Sequence, residues 1–391
     1  MPKALVVGGG VAGPAVAALL TRIGWEAPVF EARTAPDPFE GLFLNVAVNG
    51  RRVLRTLGWE DRLLADAHPA AEMVMWSGRG KQLGVVPNGP AGRPDDGGVV
   101  VRRSWLHEVI RDGAEDAGVT VSYGRRLVDV RETGEGVLAR FDDGSEEHGD
   151  VVVGADGVGS AVRRQVAPEV VPAFSGLLGS GGFARVPGLA PTPGRQHFVF
   201  GTRSFFGYLV RADGTVFWFA NLTADEPPAA GIATSTDWLA RLRELHADDP
   251  APVPQILDAT AGPITVYPIF RLPRVEPWWR GRAVLVGDAV HATSPSAGQG
   301  ASMALEDAIV LASSLRADPD PAVAFTAYED ARRARAEALV AYAAGIDKQK
   351  RVARSRVAIA MRDLMLPIFL RKAGSDRRTD WIFDYDVPWV R

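Results

Sequence analysis

Three glycines near the start of the chain have the spacing of a tight strand-to-helix turn. Gly8, Gly10 and Gly13 form G-x-G-x-x-G between a short apolar run, Leu5–Val7, and an alanine- and leucine-rich stretch, 11–23. In such a turn the first glycine makes the bend, the second leaves room for a pyrophosphate, and the third lets helix and strand pack closely. The start of the helix then offers free N–H groups and a partial positive charge to the phosphate.

An acidic residue follows at the end of the next apolar run. Glu31 closes the segment APVFEAR. A carboxylate in this position accepts hydrogen bonds from a ribose diol and repels a 2′-phosphate, which predicts the ADP half of FAD or NAD rather than NADP. The alternative is a glycine-rich turn beside a surface glutamate. The agreement of turn, helix length and terminal acid favours the nucleotide.

Two later segments place an aspartate directly after a buried strand. In DVVVGADGVGSAVRR the apolar strand 151–153 precedes Asp156, and in GRAVLVGDAVHATSPSAGQG a second apolar strand runs into Asp288. The second segment continues through a Pro/Gly loop into a helix that begins near Gly300. Because ligands of open α/β sheets bind at the carboxyl ends of the strands, both aspartates are candidates for a ligand site.

Composition excludes several classes of function. The 391 residues are 47% apolar and 23% charged, with a formal net charge of −3, which argues against a nucleic-acid partner. Without cysteine, and with six scattered histidines, the chain has no disulfide, no thiolate chemistry and no obvious metal site. The longest late apolar run, LMLPIFL, is too short to span a membrane. No signal peptide is recognised at the start, so we expect a cytoplasmic protein.

The motifs together resemble a known family. The glycine turn, GADG and GDAVH…P…GQG have the order and spacing found in the FAD-dependent aromatic hydroxylases, the single-component flavin monooxygenases of the p-hydroxybenzoate hydroxylase fold. The resemblance covers nearly the whole chain. It implies bound FAD, with NAD(P)H visiting transiently, because no second glycine fingerprint is present.

The resemblance also assigns cofactor contacts. It places the pyrophosphate at the first turn, the adenosine ribose at the acid of the second strand, a ribityl hydroxyl at the later aspartate and the flavin ring at the late loop. The residues assigned to the pyrophosphate are Gly8, Gly10, Val11, Ala12 and Gly13, and those assigned to the ribose are Glu31 and Arg33. Asp288 is assigned to the ribityl hydroxyl. The residues assigned to the flavin ring are Pro295, Gly298, Gln299, Gly300 and Ala301. Arg103 matches an arginine that reaches FAD, and Leu127 matches a strand that passes the adenine. Asp156 and Arg163 lie near the path of NAD(P)H.

The late loop has a physical reason to meet the flavin. Reduced flavin carries negative charge at one edge, and a helix that begins at Gly300 points unpaired N–H groups at such an anion. Ser302 stands where many relatives have asparagine, which leaves the hydrogen bonding near the flavin open. Pro14 replaces a commoner leucine and is harmless early in a helix.

The fold class predicted is α/β, a Rossmann-like FAD-binding domain with an inserted antiparallel-sheet substrate domain and a C-terminal helical segment. The alternating aromatic and β-branched residues around RQHFVFGTRSFFGYLVRADGTVFWFANL, with a hairpin turn at Asp213-Gly214, indicate antiparallel strands. The expected boundaries are 1–68, 100–172 and 272–318 for the FAD-binding domain, 69–99 and 173–271 for the sheet domain, and 319–391 for the helical segment.

The aromatic strands suit a planar aromatic or polycyclic guest. Any one of the rings is as well explained by the core; the candidates are Phe198, Phe200, Phe206, Trp218 and Phe219. His197 and Tyr208 are the side chains in this region suited to deprotonating a phenol or hydrogen-bonding its oxygen. For each residue taken alone, a surface position on a strand is the simpler interpretation.

The C-terminal part has apolar residues at helical spacing and many basic residues between 347 and 373. A basic amphipathic helix can lie on a membrane, but a solvated basic face is the simpler interpretation. The closing DWIFDYDVPWV is aromatic enough to dock back on the protein or to join a homodimer interface.

The activity that the resemblance implies is a monooxygenase reaction. Hydride passes from NAD(P)H to FAD, O₂ gives a flavin C4a-hydroperoxide, and one oxygen reaches an electron-rich carbon of a small aromatic or polycyclic substrate by hydroxylation or epoxidation. The alternatives are a flavin-dependent halogenase, for which no W-x-W-x-I-P segment is present, an FAD-dependent reductase or dehydrogenase, and a non-catalytic flavin sensor.

Overall fold

The structure is a computed structural model. It describes residues 1–36, 41–228, 233–350, 359, 361, 363–367, 370, 377–386 and 389. Several of the basic residues predicted to line a helix between 347 and 373 lie outside the described residues.

Strands and helices are interspersed along the described chain. The strands are β1 (Ala4–Val7), β2 (Val29–Glu31), β3 (Phe43–Val46), β4 (His68–Ala70), β5 (Glu72–Ser77), β6 (Gln82–Pro87), β7 (Gly98–Arg102), β8 (Val121–Tyr123), β9 (Leu127–Glu132), β10 (Val137–Phe141), β11 (Glu146–Gly149), β12 (Val151–Gly154), β13 (Ala173–Arg185), β14 (Arg195–Phe200), β15 (Phe205–Val210), β16 (Thr215–Thr223), β17 (Ala233–Ser235), β18 (Ile264–Arg271), β19 (Trp279–Arg280) and β20 (Ala283–Leu285). The helices are α1 (Ala12–Arg22), α2 (Val48–Leu57), α3 (Glu60–Leu64), α4 (Arg103–Asp116), α5 (Ala161–Val166), α6 (Thr236–Leu245), α7 (Val253–Asp258), α8 (Asp288–His291), α9 (Gly300–Ala317), α10 (Pro321–Lys350) and α11 (Asp380–Phe383).

The first sheet is the predicted Rossmann-like one. Its six strands are ordered β19-β20-β12-β1-β2-β8, and all neighbours except β19 and β20 run parallel. The four residues of β1 are buried, as expected for a strand covered on both faces. Helices α1 and α9 pack against each other beside this sheet and carry mostly buried residues. The predicted fold class is therefore confirmed.

The second sheet has eight strands in the order β17-β18-β13-β16-β15-β14-β5-β6. They come from residues 72–87 and 173–271, although the domain boundaries themselves stay a prediction. Most neighbours are antiparallel, but β14 and β5 run parallel. Residues 173–271 were predicted to form antiparallel strands, but α6 and α7 also lie within this range, and their apolar residues cover one face of the sheet.

The C-terminal part folds back over both sheets. Helix α10 packs along α9, and its far end reaches the eight-stranded sheet. Ile382 and Phe383 of the closing aromatic segment are buried in the chain's own main core, which is the first of the two roles predicted for it. No helix within the described ranges combines the length and apolar character required to cross a membrane.

Candidate functional site

Three turns meet at the carboxyl edge of the six-stranded sheet. The parallel register aligns Val7 of β1 with Gly154 of β12, and Gly154 with Leu285 of β20. The turns that follow these strands are consequently neighbours. A Cβ atom on Gly8 would lie 2.3 Å from the carbonyl oxygen of Ala155. The sequence placed the glycine turn and both aspartates at strand ends, and the parallel register brings those ends together.

The glycines of the first turn are needed for three different reasons. Gly8 has a φ of +113°, which side chains rarely allow. A Cβ on Gly13 would lie 1.9 Å from the Gly8 carbonyl oxygen, so α1 can approach β1 only without a side chain there. A Cβ on Gly10 would meet nothing within 4 Å. The protein itself therefore does not require glycine at position 10, and the open space beside it suits a bound group.

The start of α1 is free to bind an anion. Helix α1 has no side-chain cap and no acidic residue in its first turn, so its first N–H groups and the helix dipole face the open space at Gly10. Val11 and Ala12 lie at this start, and Gly287 of the third turn comes so close that a Cβ on it would lie 3.2 Å from the Ala12 Cβ. This arrangement fits the pyrophosphate of a dinucleotide.

Glu31 is held by the backbone beside this turn. One carboxylate oxygen accepts a 2.7 Å hydrogen bond from the Gly9 N–H, and the other accepts bonds of 2.9 Å from both the N–H and Nε of Arg33. Burial raises the pKa of this carboxyl, but the hydrogen bonds from Arg33 and Gly9 lower it more, and the net pKa lies below its usual value. The carboxylate is thus ionised and oriented, as a ribose-binding acid must be.

Asp288 faces the cleft at the third strand end. It is the first residue of α8 and its side chain is exposed, yet protein atoms surround it closely and this desolvation raises the pKa of its carboxyl, against the lowering effects of His291 and Arg103. Arg103, the first residue of α4, therefore lies within electrostatic reach of Asp288. Burial raises the pKa of Tyr267 on the eight-stranded sheet, and the charge of Arg103 opposes this rise.

The late loop forms the opposite wall. A short 3-10 turn, Pro295–Ala297, leads into Gly298 in a left-handed conformation with a φ of +61°, and α9 begins at Gly300 without a side-chain cap. A Cβ on Gly300 would find its nearest neighbour at 4.0 Å. Gln299 is fully buried and its Nε2 has no hydrogen-bond partner in the described part of the chain. Uncapped N–H groups, with Ala301 in the first turn, and this unpaired donor fit the polar edge of a flavin ring.

The hydroxyl of Ser302 is hydrogen-bonded within the protein. It accepts a 3.1 Å hydrogen bond from the N–H of Ala47, at the start of α2. A Cβ on Gly50 would lie 2.6 Å from the same hydroxyl oxygen. Ser302 thus joins α2 to α9, which answers the question that the missing asparagine raised.

Three further predicted residues have structural partners. Asp156 caps α5: its carboxylate accepts hydrogen bonds of 2.6 and 3.2 Å from the N–H groups of Ala161 and Val162, and one of 2.5 Å from the Ser160 hydroxyl. Arg163 is buried and donates to the carbonyl oxygen of Ala289 at 2.9 Å. Leu127 is buried at the start of β9. Asp156 and Arg163 stand next to the cleft, but these bonds tie them to the turns rather than leaving them available.

An aromatic surface of the eight-stranded sheet faces the late loop. We call Phe198, Phe205, Phe219 and Tyr267 the aromatic floor. Glycines in the neighbouring strands let these rings lie on the sheet, because a Cβ on Gly207 or Gly179 would collide with Phe219 or Tyr267, respectively.

Strand β3 connects the aromatic floor to the loop. The ring of Phe43 lies 6.1 Å from that of Phe219. Two residues along the same strand, Asn45 donates a 3.2 Å hydrogen bond to the carbonyl oxygen of Gly298. A planar molecule between the loop and the floor would accordingly touch both.

His197 and Tyr208 lie on the other face of this sheet, which corrects the prediction that they reach the substrate. The two residues pair across β14 and β15 with their rings stacked 4.9 Å apart, and Tyr208 belongs to the apolar cluster under α6 and α7. Burial lowers the pKa of His197 and raises that of Tyr208 to about 12. Phe206 and Trp218 share this face, whereas Phe198, Phe200 and Phe219 point towards the cleft.

Comparison with known proteins decides what the cleft binds. A family model described as an FAD binding domain matches residues 1–343. The chain belongs to the FAD-dependent aromatic hydroxylases. Within this family it is 31% identical to the aurachin C monooxygenase/isomerase of Stigmatella aurantiaca, over 86% of both chains. It is 28% identical to the 6-hydroxynicotinate 3-monooxygenase of Bordetella bronchiseptica, over 99% of this chain and 96% of the relative.

Solved structures of the hydroxylase fold agree. A variant of Klebsiella pneumoniae HpxO complexed with FAD superposes with a TM-score of 0.86 at 25% identity, over 98% of both chains. FAD is thus the cofactor of this hydroxylase, and the residues at the three strand ends fit it.

Sequence reasoning missed a buried charge network that supports the site. Arg332 of α10 is fully buried and pairs with Glu306 at 2.6 Å and with Asp307 at 2.8 Å. Asp307 also accepts hydrogen bonds from His291, at 2.5 Å, and from the Gly287 N–H, at 2.8 Å. The signal was present in the sequence as two adjacent acids, Glu306 and Asp307, in an otherwise apolar helix that cannot leave them unpaired.

A half-buried histidine near the adenosine end of the hydroxylase predicts acid sensitivity. Burial, followed by the charges of Arg103 and Arg33, lowers the pKa of His107 from 6.5 to about 3. At pH 6.5 and below, His107 of the unfolded chain binds a proton, whereas His107 of the folded chain does not. Stability is therefore lost as pH falls. From pH 6.5 to 5 the free energy of unfolding should fall by about 2 kcal/mol through this residue.

Chemical denaturation at the two pH values checks this expectation. The variant His107→Gln should lose about 2 kcal/mol less than the wild type over the same interval. His148→Gln, which changes an exposed histidine, is the matched control and should behave as the wild type. Equal losses in all three proteins would contradict the assignment.

Proposed function

We propose that this FAD-dependent monooxygenase transfers one oxygen atom from O₂ to a small aromatic or heteroaromatic molecule, with NAD(P)H as the electron donor. One observation carries the proposal. Strand β3 contacts both the loop that leads into α9, through Asn45, and the aromatic floor, through Phe43. A planar substrate between them would lie beside the redox end of the cofactor.

The residues divide the work of binding along the cleft. When bound, FAD takes up hydride from NAD(P)H and activates O₂, chemistry that no side chain supplies. The start of α1 holds the diphosphate, Glu31 orients the ribose of the adenosine, and Asp288 accepts a hydrogen bond from a polyol hydroxyl. The uncapped start of α9 stabilises negative charge at the ring edge without a mobile counter-ion.

The aromatic floor orients the substrate and excludes water. Its rings offer flat apolar surfaces for stacking, and Tyr267 adds a hydroxyl whose pKa burial raises, so it remains a neutral donor. None of the four residues that form the aromatic floor is a strong base. An electron-rich substrate that ionises by itself, or that reacts without losing a proton first, suits this surface.

Oxygen transfer is favoured over the other reactions considered. The relatives that the chain matches are named monooxygenases or hydroxylases of aromatic or heterocyclic compounds, and their likeness supports the same reaction class here. A halogenase, a reductase or a flavin sensor has no such support. A cytoplasmic location and a homodimer also belong to the proposal; light scattering of the purified protein tests the latter.

The decisive experiment measures product rather than NAD(P)H consumption alone. The purified yellow protein is incubated with NADH or NADPH and ¹⁸O₂ in the presence of phenols, hydroxypyridines, indoles and polycyclic aromatics. We expect at least one compound to accelerate NAD(P)H oxidation and to gain one ¹⁸O atom by mass spectrometry. The proposal would be contradicted if compounds accelerated NAD(P)H oxidation but none of them gained ¹⁸O, or if the purified protein contained no flavin.

A further inference from the structure

Lys350 is a buried cation on the aromatic floor. It is the last residue of α10, and its side chain is 9% exposed. Its Nζ lies 4.5 Å from the ring centre of Phe205 and 5.5 Å from that of Phe219, and it donates a 3.3 Å hydrogen bond to Oδ1 of Asn221. The basic residues of this region were predicted to lie on a solvated face, whereas Lys350 is buried.

The position of Lys350 follows from helical phase. Ala343, Asp347 and Lys350 are buried at spacings of four and three, on the side of α10 that faces the protein. One turn before Lys350, the Asp347 carboxylate accepts hydrogen bonds of 2.7 and 2.6 Å from the hydroxyls of Ser294 and Ser296. These serines flank Pro295, so the end of α10 is fixed between the late loop and the aromatic floor.

The ammonium group has no ion-pair partner among the described residues. In the described part of the chain no carboxylate lies within 4.0 Å of its Nζ, and Oδ1 of Asp347, one turn away on α10, accepts the hydrogen bonds of the two serines. Burial lowers the pKa of Lys350 to about 8, although Asp347 raises it. An uncompensated buried charge is costly, and two of its three N–H donors have no partner given by the structure.

We propose that Lys350 is a substrate-recognition residue that binds an anionic oxygen, carboxylate or phenolate, on the aromatic substrate. This inference rests on the proposed function and names the substrate class for it. The rings of Phe205 and Phe219 hold the ammonium group by cation–π contact until the anion binds. The anion then supplies the missing counter-charge while the substrate ring stacks on the aromatic floor.

The competing explanation is a structural tether between α10 and β16 through Asn221. A tether predicts that removing the lysine weakens neutral and anionic ligands equally. Anion recognition predicts a selective loss. Binding to the oxidised holoenzyme separates the two without any turnover, so its outcome is independent of whether the oxygenation test succeeds.

The experiment compares Lys350→Met with Lys348→Met. Lys348 is exposed on the same helix and provides the matched control; Met keeps the length of the side chain and suits the aromatic surroundings. The flavin spectrum of each holoenzyme is titrated with salicylate and methyl salicylate, and with pentafluorophenol, ionised at pH 7, and its methyl ether. FAD content and the melting temperature verify folding.

We expect Lys350→Met to weaken binding of an anionic probe by about tenfold to 100-fold, the effect of losing one hydrogen bond to a charged group. The neutral partner should change less than about threefold, and Lys348→Met should change neither. Comparing the loss of affinity for salicylate with that for pentafluorophenol distinguishes recognition of a carboxylate from recognition of a phenolate. Lys350→Arg should restore the preference for the anion. Equal weakening of both members of a pair, or a wild type without preference, would overturn the proposal.

The pH dependence provides an independent readout. Asp347 on α10 is the charged group that acts on Lys350, while Asn221 of β16 and Phe205 of β15 are uncharged. Since the lysine is charged below its pKa, binding of the anionic probe should weaken as pH rises through about 8 towards 9.5. Lys350→Met should lack this dependence; an identical profile in both proteins would overturn the proposal.

Discussion

Replacing Gly10 with alanine is expected to leave the fold intact and to weaken FAD binding by about 100-fold or more. The backbone at Gly10 does not have a positive φ, and an added Cβ would meet no protein atom within 4 Å. The methyl group instead would occupy the space where a diphosphate approaches the start of α1. The purified variant should be pale, have the circular dichroism of the wild type, and regain colour only at high FAD concentration.

Two further substitutions make this test specific. Gly13→Ala would place a Cβ 1.9 Å from the backbone oxygen of Gly8, so it should lose stability and FAD together, with a free-energy cost above about 2 kcal/mol. Gly345→Ala, in α10, has open space around it; it should bind FAD as the wild type does and should not lose stability, because alanine favours a helix more than glycine. A Gly10→Ala protein that retains full FAD at wild-type affinity would refute the placement of the pyrophosphate.

Replacing Arg332 with methionine is expected to lower the free energy of unfolding by about 3–5 kcal/mol, the usual cost of removing one partner from a buried ion pair. Arg332 is fully buried between Glu306 and Asp307. Burial raises the pKa of Asp307, but the lowering effects of His291 and Arg332 are larger, and the net pKa is about 2. Without the guanidinium, two buried carboxylates lose a compensating charge. Guanidinium chloride denaturation of the holoenzyme measures the effect.

The control is an exposed arginine. Arg274 pairs with Glu276 at 2.6 Å, but its side chain is 65% exposed, so Arg274→Met should cost less than about 1 kcal/mol. Similar losses in both variants would show that charge pairing in the core is not what stabilises this region.

The network around Arg332 also connects stability to the cofactor site. Asp307 accepts the hydrogen bond from the Gly287 N–H, and Gly287 is the residue directly before Asp288. Loss of the ion pair should therefore loosen the turn that presents Asp288 to the cleft. The Arg332→Met protein is expected to release FAD at a lower temperature than the temperature at which its secondary structure melts, whereas both transitions coincide in the wild type.

The sequence by itself determined the parts of this protein in which the constraint is local. Gly8 and Gly13 specify the β1–α1 turn because backbone conformation and close packing admit no side chain there. The short valine-rich strands, the acid at the end of β2 and the uncapped start of α9 were equally readable, since each depends on a few consecutive residues. These elements predicted a bound ADP group and an α/β fold, while FAD and the reaction class followed from the resemblance of the motifs to the hydroxylase family.

Only the tertiary structure decided which side chains face the cleft. Alternation along a strand shows that His197 and Phe198 point in opposite directions, but which face is covered by α6 and α7 depends on how the chain packs. Asp156 accepts hydrogen bonds from the start of α5, and Ser302 accepts one from the start of α2. Lys350 became a buried cation because α10 crosses the sheet at that point. The two faces of the eight-stranded sheet are similar in sequence, and only long-range packing determines which of them lies against the cleft.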